Sequence, residues 1–578
     1  MNDEQIAAVF EEMADVMEIL GEDPFRVNSY RKVARVLAET TEDLPALAAS
    51  GKLESLPSVG KGAAGRIAEL LTTGKLAQHQ ELLGRIPPGL PELLTIQGLG
   101  PKTVGKLWKQ GQVESLDDLK AALAQTPSRL EEIEGLGAKK LSAIAEAIAF
   151  AAGAAQRHRL DEALAVAEPI KQRIAGCKGA GRVEVAGSTR RWRETIGDID
   201  LLCEADKKDA GAIMETFTSA EGVTKVLAQG ATKSSVIVDD RIQADLRVVP
   251  GESFGAALQY FTGSKAHNVA LRELAVRRKW KLNEYGLFDA KGKQIAGADE
   301  EGIYRKLGLG WICPELREDR GEVAAAAEGK LPDLITVDDI RGDLHMHTFA
   351  SDGRNSIEEM IEACRARGYK YMAITEHSKG QIQANGLDEE RLAAHCEAIR
   401  AAAKKYKDIL VLTGIEVDIL KDGHLDFSDD VLAELDFVTA SAHGALSQKR
   451  EEATKRLIKA IENPHVDVIG HPSGRLIGRR AGMELDIGKL AAAAAANDTA
   501  LEINAHPMRL DLRDVHVRAA VEAGAKLLIC TDAHDAAPDG NLSLISYGVH
   551  TARRGWARAA DVINTWPPAK LKKWLGRS

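Results

Sequence analysis

Short apolar runs recur from residue 341 to the end of the chain, and alanine-rich segments with helical periodicity separate most of them. Seven runs can be counted, each delivering His, Asp or Glu near its end: GDLHMHT, YMAITEHS, VLTGIEVDI, FVTASAHG, VDVIGHP, ALEINAH and KLLICTDAH. Such runs between helices predict the strands of a β/α barrel, whose functional side chains gather at the C-terminal strand ends. We therefore predict a distorted (β/α)7 barrel in this part of the chain.

The middle of the chain alternates strand and helix patterns. The stretch RVEVAGSTRRWRETIGDIDLLCEA begins with an apolar strand, turns at Gly187 and Ser188, and ends in the strand DIDLL. Further along, RIQADLRVV alternates apolar and polar residues as a half-buried strand does. This pattern predicts an α+β domain, so the whole chain is expected to combine α+β and α/β domains.

The first third is helical and contains a repeat. LPSVGKGAAGRI (56–67), IQGLGPKTVGKL (96–107) and IEGLGAKKLSAI (133–144) share an apolar residue, a tight Gly-apolar-Gly turn and a following helix, with Ser58 replacing the leading glycine of the first copy. This is the helix–hairpin–helix pattern, in which glycines admit a phosphate closely and helix amides point at the anion. One copy could be an ordinary turn, but three favour sequence-independent DNA binding. The candidate contacts are Gly60, Gly98, Gly100, Gly135 and Gly137.

Composition narrows the possibilities further. A chain of 578 residues suggests about three to five domains, and a net charge of −10 means that any nucleic-acid contact must be local. No apolar run reaches membrane-spanning length, and we expect the acidic, amphipathic start to be neither a signal peptide nor an anchor. Six cysteines lie far apart without a CxxC motif, which predicts a reducing, cytoplasmic environment.

Three aspartates form a candidate metal site in the middle segment. Asp198 and Asp200 are two residues apart, so both carboxylates face the same side of one strand, and Asp245 lies on a strand that could pair beside it. An oxygen-only site of this kind suits Mg²⁺, and two such ions can activate a hydroxyl and stabilise a leaving pyrophosphate. Ser188 and Arg191, on the preceding turn, could hold phosphates. A lone DxD would more often be a solvent-facing strand, but the combination favours a nucleotidyltransferase.

The order of these features, followed by YFTGSKAHNVALR and KLNEYGLF, resembles the family X DNA polymerases, which are relatives of DNA polymerase beta. The resemblance covers residues 1 to about 315 and implies a nucleotidyltransferase palm with Asp198, Asp200 and Asp245 as catalytic ligands of Mg²⁺ or Mn²⁺. It also implies a set of nucleotide contacts, in which Tyr260 and Phe261 lie under the sugar and limit ribonucleotide use. These contacts are Ser188, Arg191, Tyr260, Phe261, Gly263, Asn268 and Arg272.

The C-terminal segment resembles the polymerase and histidinol phosphatase (PHP) domain. Its motif that usually reads TDH is TEH here. The resemblance implies a site for up to three Zn²⁺ or Mn²⁺ ions and phosphoester hydrolysis, with 3′→5′ exonuclease activity in polymerase fusions. The implied ligands are His345, His347, Asp352, His377, Glu416, His443, His471, Asp532 and His534.

Domain boundaries follow from these matches and from the histidines, of which three precede residue 341 and twelve follow it. We expect an N-terminal DNA-binding domain at 1–90, a second helix–hairpin–helix domain at 91–155, the palm at 156–248 and a thumb-like domain at 249–315. A charged, alanine-rich linker at 316–338 would then lead into the PHP domain at 339–578.

The sequence thus predicts a monomeric DNA polymerase that fills short gaps in DNA repair, uses deoxynucleoside triphosphates and processes 3′ ends with its barrel. Two alternatives stay open: the barrel is chiefly a small-molecule phosphatase with the front half tethering DNA, or it is a structural scaffold. Metal identity in cells and the preferred nuclease substrate are not determined by the sequence.

One activity of DNA polymerase beta is expected to be missing. Its 5′-deoxyribose phosphate lyase needs a lysine amine that can lose its proton, and the matching position in VGKGAAGRIAEL is Arg66, whose guanidinium stays protonated. A neighbouring phosphate-contact lysine is replaced by Gly62. Arg26 and Tyr30 are kept as candidate 5′-phosphate contacts, so binding without excision is predicted.

Overall fold

The structure is a computed structural model, and it describes the chain except residues 2, 41, 97–98, 126–127, 138–139, 143, 146–147, 149–156 and 577–578. The chain divides into two compact units, Met1–Arg157 with Glu221–Gln243, and His158–Ala220 with Ala244–Ser578. No helix of the described ranges is long and apolar enough to cross a membrane.

The first unit is mainly helical. Its described helices are α1 Asp3–Leu20, α2 Pro24–Glu39, α3 Leu44–Ala49, α4 Lys61–Thr73, α5 Ala77–Leu83, α6 Leu90–Leu93, α7 Pro101–Gly111 and α8 Leu116–Leu123. Asp23, Asp43 and Ser115 cap α2, α3 and α8 by accepting hydrogen bonds from amides of their first turns. The apolar faces of these helices share one core. Residues 221–243 contribute the antiparallel strands β5 Val223–Gln229 and β6 Lys233–Val238, and the first residues of β7.

The three predicted repeats have the same backbone geometry in their described residues. In each copy the buried residue between the two turn positions donates its amide to a buried residue three positions earlier: Val59 to Leu56, Leu99 to Ile96 and Leu136 to Ile133. Ser58 and Gly135, which occupy the leading position, have φ of 62° and 86°. Gly98 lies outside the described residues.

The second unit begins with the strands and helices around the three predicted catalytic aspartates. They are β1 His158–Arg159, α9 Leu160–Ala175, β2 Val183–Val185, α10 Gly187–Arg190, β3 Thr195–Ile196, β4 Asp198–Glu204, α11 Lys207–Thr218 and β7 Ile242–Val249. β4 lies between β2 and β7 in the sheet, and it pairs antiparallel with β2.

A smaller subdomain follows. Its elements are α12 Gly251–Thr262, α13 Lys265–Arg277, β8 Lys281–Asn283, β9 Gly286–Phe288, β10 Gln294–Ala296 and α14 Glu300–Lys306. The three short strands form an antiparallel sheet.

The segment predicted as a linker is structured and partly buried. It contains the short helix α15 Glu322–Ala327, and Arg317 and Glu322 are fully buried. Arg317 forms an ion pair with Glu300 at 2.6 Å, and Glu322 lies 2.7 Å from His267 of α13. These contacts join residues 316–322 to the preceding subdomain.

The C-terminal part is a nearly closed barrel of seven parallel strands. The strands, in spatial order, are β11 Gly342–Asp343, β12 Tyr371–His377, β13 Leu410–Asp418, β14 Phe437–Ser441, β15 Val468–Gly470, β16 Ala500–Asn504 and β17 Lys526–Cys530. A parallel bridge between Met346 and Ala533 extends β11 and β17 toward each other. The accompanying helices are α16 Ile357–Ala366, α17 Glu389–Ala403, α18 Asp429–Leu432, α19 Arg450–Ile461, α20 Ile487–Asn497, α21 Asp514–Glu522, α22 Ile545–Arg554 and α23 Pro568–Trp574.

The predicted fold class is confirmed: helical helix–hairpin–helix regions, mixed α/β content and a seven-stranded parallel barrel are all present. The numerical domain boundaries stay predictions.

Candidate active sites

The nine predicted barrel ligands converge at the C-terminal ends of the strands. The described residues contain three sets in which all potential ligand atoms lie within 4.8 Å of one another. The sets are His347, Asp352, His377 and His534; His345, His347 and Asp532; and His377, Glu416 and His443. His347 and His377 each belong to two sets, so the three sets form one continuous cluster. The ninth residue, His471, joins it through Nε2, which lies 2.9 Å from Glu416 Oε1.

Glu416 occupies the centre of this cluster. Its fully buried carboxylate lies 2.7 Å from His377 Nδ1, 3.4 Å from His443 Nε2 and 3.5 Å from His345 Nε2. Burial alone would raise the pKa of Glu416, but the surrounding histidines outweigh it and hold that pKa well below its usual range. The carboxylate is therefore an anion at neutral pH.

Several buried donor and acceptor atoms of the cluster have no hydrogen-bond partner among the described residues. They include His345 Nε2, His347 Nδ1 and His471 Nδ1. A buried polar atom without a partner is costly, and bound metal ions would satisfy atoms of this kind. Imidazole and carboxylate ligands suit Zn²⁺ and Mn²⁺, so the residues present fit the divalent metals implied by the sequence.

The histidines differ in their proton affinity. Burial lowers the pKa of His347 and of His471 to about 4, which keeps both imidazoles neutral and able to coordinate a cation. Burial also disfavours the charged form of His443, but Glu416 and Asp418 outweigh it and raise the pKa of His443 to about 9. Metal binding would displace that proton.

Other carboxylates orient the predicted ligands, and the sequence analysis did not single them out. Glu502 lies 2.7 Å from His345 Nδ1 and accepts the backbone N–H of His471. Asp418 lies 3.0 Å from His443 Nδ1. Both stand in runs that had been recognised, ALEINAH and GIEVDI, and Asp418 shares a strand face with Glu416 two positions earlier.

Glu376 supports the loop that carries Asp352. Its buried carboxylate accepts hydrogen bonds from the backbone N–H of Thr348 at 3.0 Å and from the hydroxyls of Thr348 and Ser351. The glutamate of the TEH motif therefore holds residues 348–351 in place beside the cluster.

The three predicted polymerase carboxylates lie on neighbouring strands. Asp198 and Asp200 share one face of β4, and Asp245 is on β7, the next strand of the sheet. A Cβ added to Gly187 would lie 2.5 Å from Asp200 Oδ2, and Gly187 has φ of 63°. The Gly187–Ser188 turn is thus packed directly against the Asp200 carboxylate.

Arg191, a predicted phosphate contact, already has protein partners. Its guanidinium donates to Glu318 Oε1 at 3.1 Å and to the carbonyl of Thr262. A Cβ at Gly263 would lie 3.2 Å from Arg191 Nη1, so two predicted nucleotide contacts, Arg191 and Gly263, are adjacent. These two contacts use Nε and Nη1, so the other N–H groups of the guanidinium are not engaged by them.

The remaining predicted nucleotide contacts surround the end of α12. The Tyr260 and Phe261 rings meet edge-to-face with centroids 5.1 Å apart. Asn268 donates to the Tyr260 carbonyl at 2.7 Å and accepts from Gln259 at 2.7 Å, so both ends of its amide are used internally. The side chain of Arg272 donates to the Asn268 carbonyl and is exposed.

Ionic and aromatic contacts join the loop after Ser188 to the barrel. Arg554 of α22 donates to the Arg191 carbonyl at 2.7 Å and to Glu318 Oε1 at 3.0 Å. Burial would raise the pKa of Glu318, but Arg191 and Arg554 outweigh it and lower that pKa to about 2. Trp192 stacks on His550 with ring centroids 3.6 Å apart. The loop after Ser188 and the barrel are therefore in direct contact.

In the first unit, Tyr30, one of the two predicted 5′-phosphate contacts, lies against Arg66. Arg66 bonds Gln78 and lies 5.3 Å over the Tyr30 ring, while Arg26 forms an ion pair with Glu22 at 2.9 Å. Within the described structure, a Cβ added to Gly60, Gly100, Gly135 or Gly137 would have no atom of a residue beyond its chain neighbours within 4 Å.

The comparisons with known proteins agree with this arrangement. A model described as DNA polymerase beta thumb matches residues 257–318, a PHP domain model matches 343–506, and two helix-hairpin-helix models match 1–76 and 90–149. Proteins named probable phosphatase, from Shewanella sediminis and Acetivibrio thermocellus, are 30% and 32% identical over 35% and 28% of this chain, and the alignments cover 81% and 65% of those proteins. The DNA polymerase/3′-5′ exonuclease PolX of Bacillus subtilis (strain 168) is 38% identical over 581 residues, which cover all of both chains. The chain therefore belongs to the family X DNA polymerases that carry a C-terminal PHP domain.

Proposed function

We propose that this protein is a DNA-directed DNA polymerase that also degrades DNA from its 3′ end. The observation that carries the proposal is the presence in one chain of two different ligand sets, aspartates on β4 and β7 and a histidine-rich cluster in the barrel. The first suits Mg²⁺ or Mn²⁺ and the second suits Zn²⁺ or Mn²⁺. Separate ions permit synthesis and hydrolysis of phosphodiesters at separate sites.

In the polymerase reaction, the primer 3′-hydroxyl attacks the α-phosphorus of a deoxynucleoside triphosphate and pyrophosphate leaves. Asp198, Asp200 and Asp245 would hold the metal ions that supply electrostatic stabilisation, and Asp245 would assist deprotonation of the hydroxyl. Ser188 and Arg191 would contact the triphosphate. Tyr260 and Phe261 would limit the sugar, and Asn268 and Arg272 would contact the nascent pair and the template.

The helix–hairpin–helix turns would grip the DNA backbone. Gly60, Gly100 and Gly137 have no positive φ, and among the described residues a Cβ at each would meet no atom beyond its chain neighbours. Neither backbone conformation nor internal packing explains glycine there, whereas close approach of a phosphate to the helix amides does. We extend this proposal to a monomeric, cytoplasmic enzyme that fills short gaps in DNA repair.

A second candidate function is hydrolysis of small phosphate esters by the barrel. Two relatives that each match about a third of the chain are named probable phosphatase, and that name favours this candidate. Both candidates use the same cluster, so the substrate distinguishes them.

Two variants separate the proposed sites on a gapped primer–template. Asp200→Asn should abolish nucleotide addition and leave primer degradation intact, and His347→Ala should do the reverse, because the two reactions use different ions. Asp206→Asn and His424→Ala are matched controls, since both side chains are largely exposed.

Loss of both activities in either site variant, with the controls active and the protein folded, would contradict independent sites. Hydrolysis of small phosphate esters without any DNA degradation by the wild type would favour the phosphatase.

A further inference from the structure

An exposed aromatic side chain stands on the loop between two predicted metal ligands. Phe349 is 64% exposed, although it lies two residues after His347 and three before Asp352. Consecutive Cα atoms are 3.8 Å apart, so the Phe349 and His347 Cα atoms are at most about 7.6 Å apart. Phe349 therefore lies on the short loop between two residues of the histidine-rich cluster.

The loop that carries Phe349 is held firmly on both sides of this residue. Thr348 and Ser351 are bonded to the buried carboxylate of Glu376, and the Phe349 amide donates to Asn355 at 3.0 Å. Gly353 closes the loop by donating to the Thr348 carbonyl at 2.9 Å. The exposure of the ring is consequently a property of an anchored loop.

A second apolar side chain lies on the neighbouring loop. Ile382 is 86% exposed, and it follows His377, another predicted ligand, by five residues. Asn385 and Arg391 donate to the Ala350 carbonyl at 3.1 and 2.8 Å, which fixes this loop against the one that carries Phe349. Two exposed apolar side chains are thus presented on two joined loops that both lead to the cluster.

We infer that Phe349 is a stacking platform for an unpaired nucleobase next to the phosphodiester that the barrel cleaves. The inference rests on the proposed exonuclease function. Metal ions in the cluster would bind the phosphate, and the base of a flanking nucleotide would reach the loop that carries Phe349. There an aromatic ring can stack on any base without sequence preference. A base in that position is not stacked in a duplex.

The test compares Phe349→Ala with the wild type on a single-stranded oligodeoxynucleotide and on two otherwise identical strands. One carries a tetrahydrofuran abasic residue at the 3′-terminal position and the other at the penultimate position. We expect Phe349→Ala to lower kcat/KM on the intact strand about tenfold, through loss of base stacking. On the abasic strand that lacks the base stacked on Phe349, kcat/KM of the two proteins should differ less than twofold. Phe349→Trp should restore the rate on the intact strand.

Val337→Ala is the control, because Val337 is another exposed apolar residue and precedes β11, whereas the predicted ligands lie at the C-terminal ends of the strands. Nucleotide addition and bound metal should stay unchanged in every variant, which reports that the protein is folded.

An unchanged rate of Phe349→Ala on the intact strand, or an equal loss on all three strands, would overturn the platform. Failure of the exonuclease proposal itself would look different, since the wild type would then leave every strand intact.

Discussion

Glu502 is expected to control metal affinity in the barrel although it is not among the predicted ligands. Its two carboxylate oxygens serve two different groups, His345 Nδ1 and the backbone N–H of His471. The substitution Glu502→Gln keeps the shape of the side chain but replaces one acceptor oxygen by an NH₂ donor. One of the two donors would then face another donor in a fully buried site.

The size of the effect follows from the loss of one buried hydrogen bond to a charged group. Such a bond contributes about 1.5–3 kcal/mol, and a loss of about 2 kcal/mol corresponds to roughly thirtyfold weaker binding. This value falls within the roughly 10–100-fold losses typical when a group that orients a metal ligand is changed. We therefore expect Mn²⁺ binding to weaken about thirtyfold.

Chelator competition would measure the Mn²⁺ affinity, and the Mn²⁺ concentration for half-maximal exonuclease activity should shift to higher values by a similar factor. Nucleotide addition should be unaffected. Glu522→Gln serves as the control, because Glu522 is largely exposed in its ion pair with Arg518. A folded Glu502→Gln protein with wild-type Mn²⁺ affinity would refute the positioning role.

Three further outcomes are expected. Gly100→Ala and Gly137→Ala should each weaken binding to gapped DNA roughly fivefold, for about 1 kcal/mol per lost phosphate hydrogen bond, with thermal stability unchanged; unchanged binding would argue against these turns as contacts. Tyr260→Ala should raise ribonucleotide use relative to deoxyribonucleotide use by about tenfold to a hundredfold in steady-state kinetics, and unaltered discrimination would reject the assignment. Borohydride should trap no covalent adduct on DNA with a 5′-deoxyribose phosphate, because Arg66 cannot act as the amine; a strong adduct that disappears in Lys61→Ala would contradict this.

The sequence could predict the barrel because its strands are local patterns, whereas the set of nine ligands was implied by the resemblance to the PHP domain. A strand-length apolar run indicates where a strand ends, and parallel strands bring their C-terminal ends together at one edge. His377, Glu416 and His443 could therefore be placed at the same edge before any distance was known. The helix–hairpin–helix turns could also be recognised from short stretches of sequence. The positive φ of Ser58 shows that the first turn keeps its geometry without the leading glycine.

Only the tertiary structure decided which residues surround these positions. Glu502 meets His345 across 157 positions of sequence, and Glu318 meets Arg554 across 236. No periodic pattern encodes such pairs, because each depends on how separate elements pack. Arg317 is buried in a segment whose charge and alanine content had suggested a linker. This burial also depends on tertiary packing, since Glu300 and Arg317 neutralise each other only after folding. The exposure of Phe349 is likewise tertiary: an apolar residue type favours burial, and the hydrogen bonds that anchor its loop come from Glu376, a residue of the next strand.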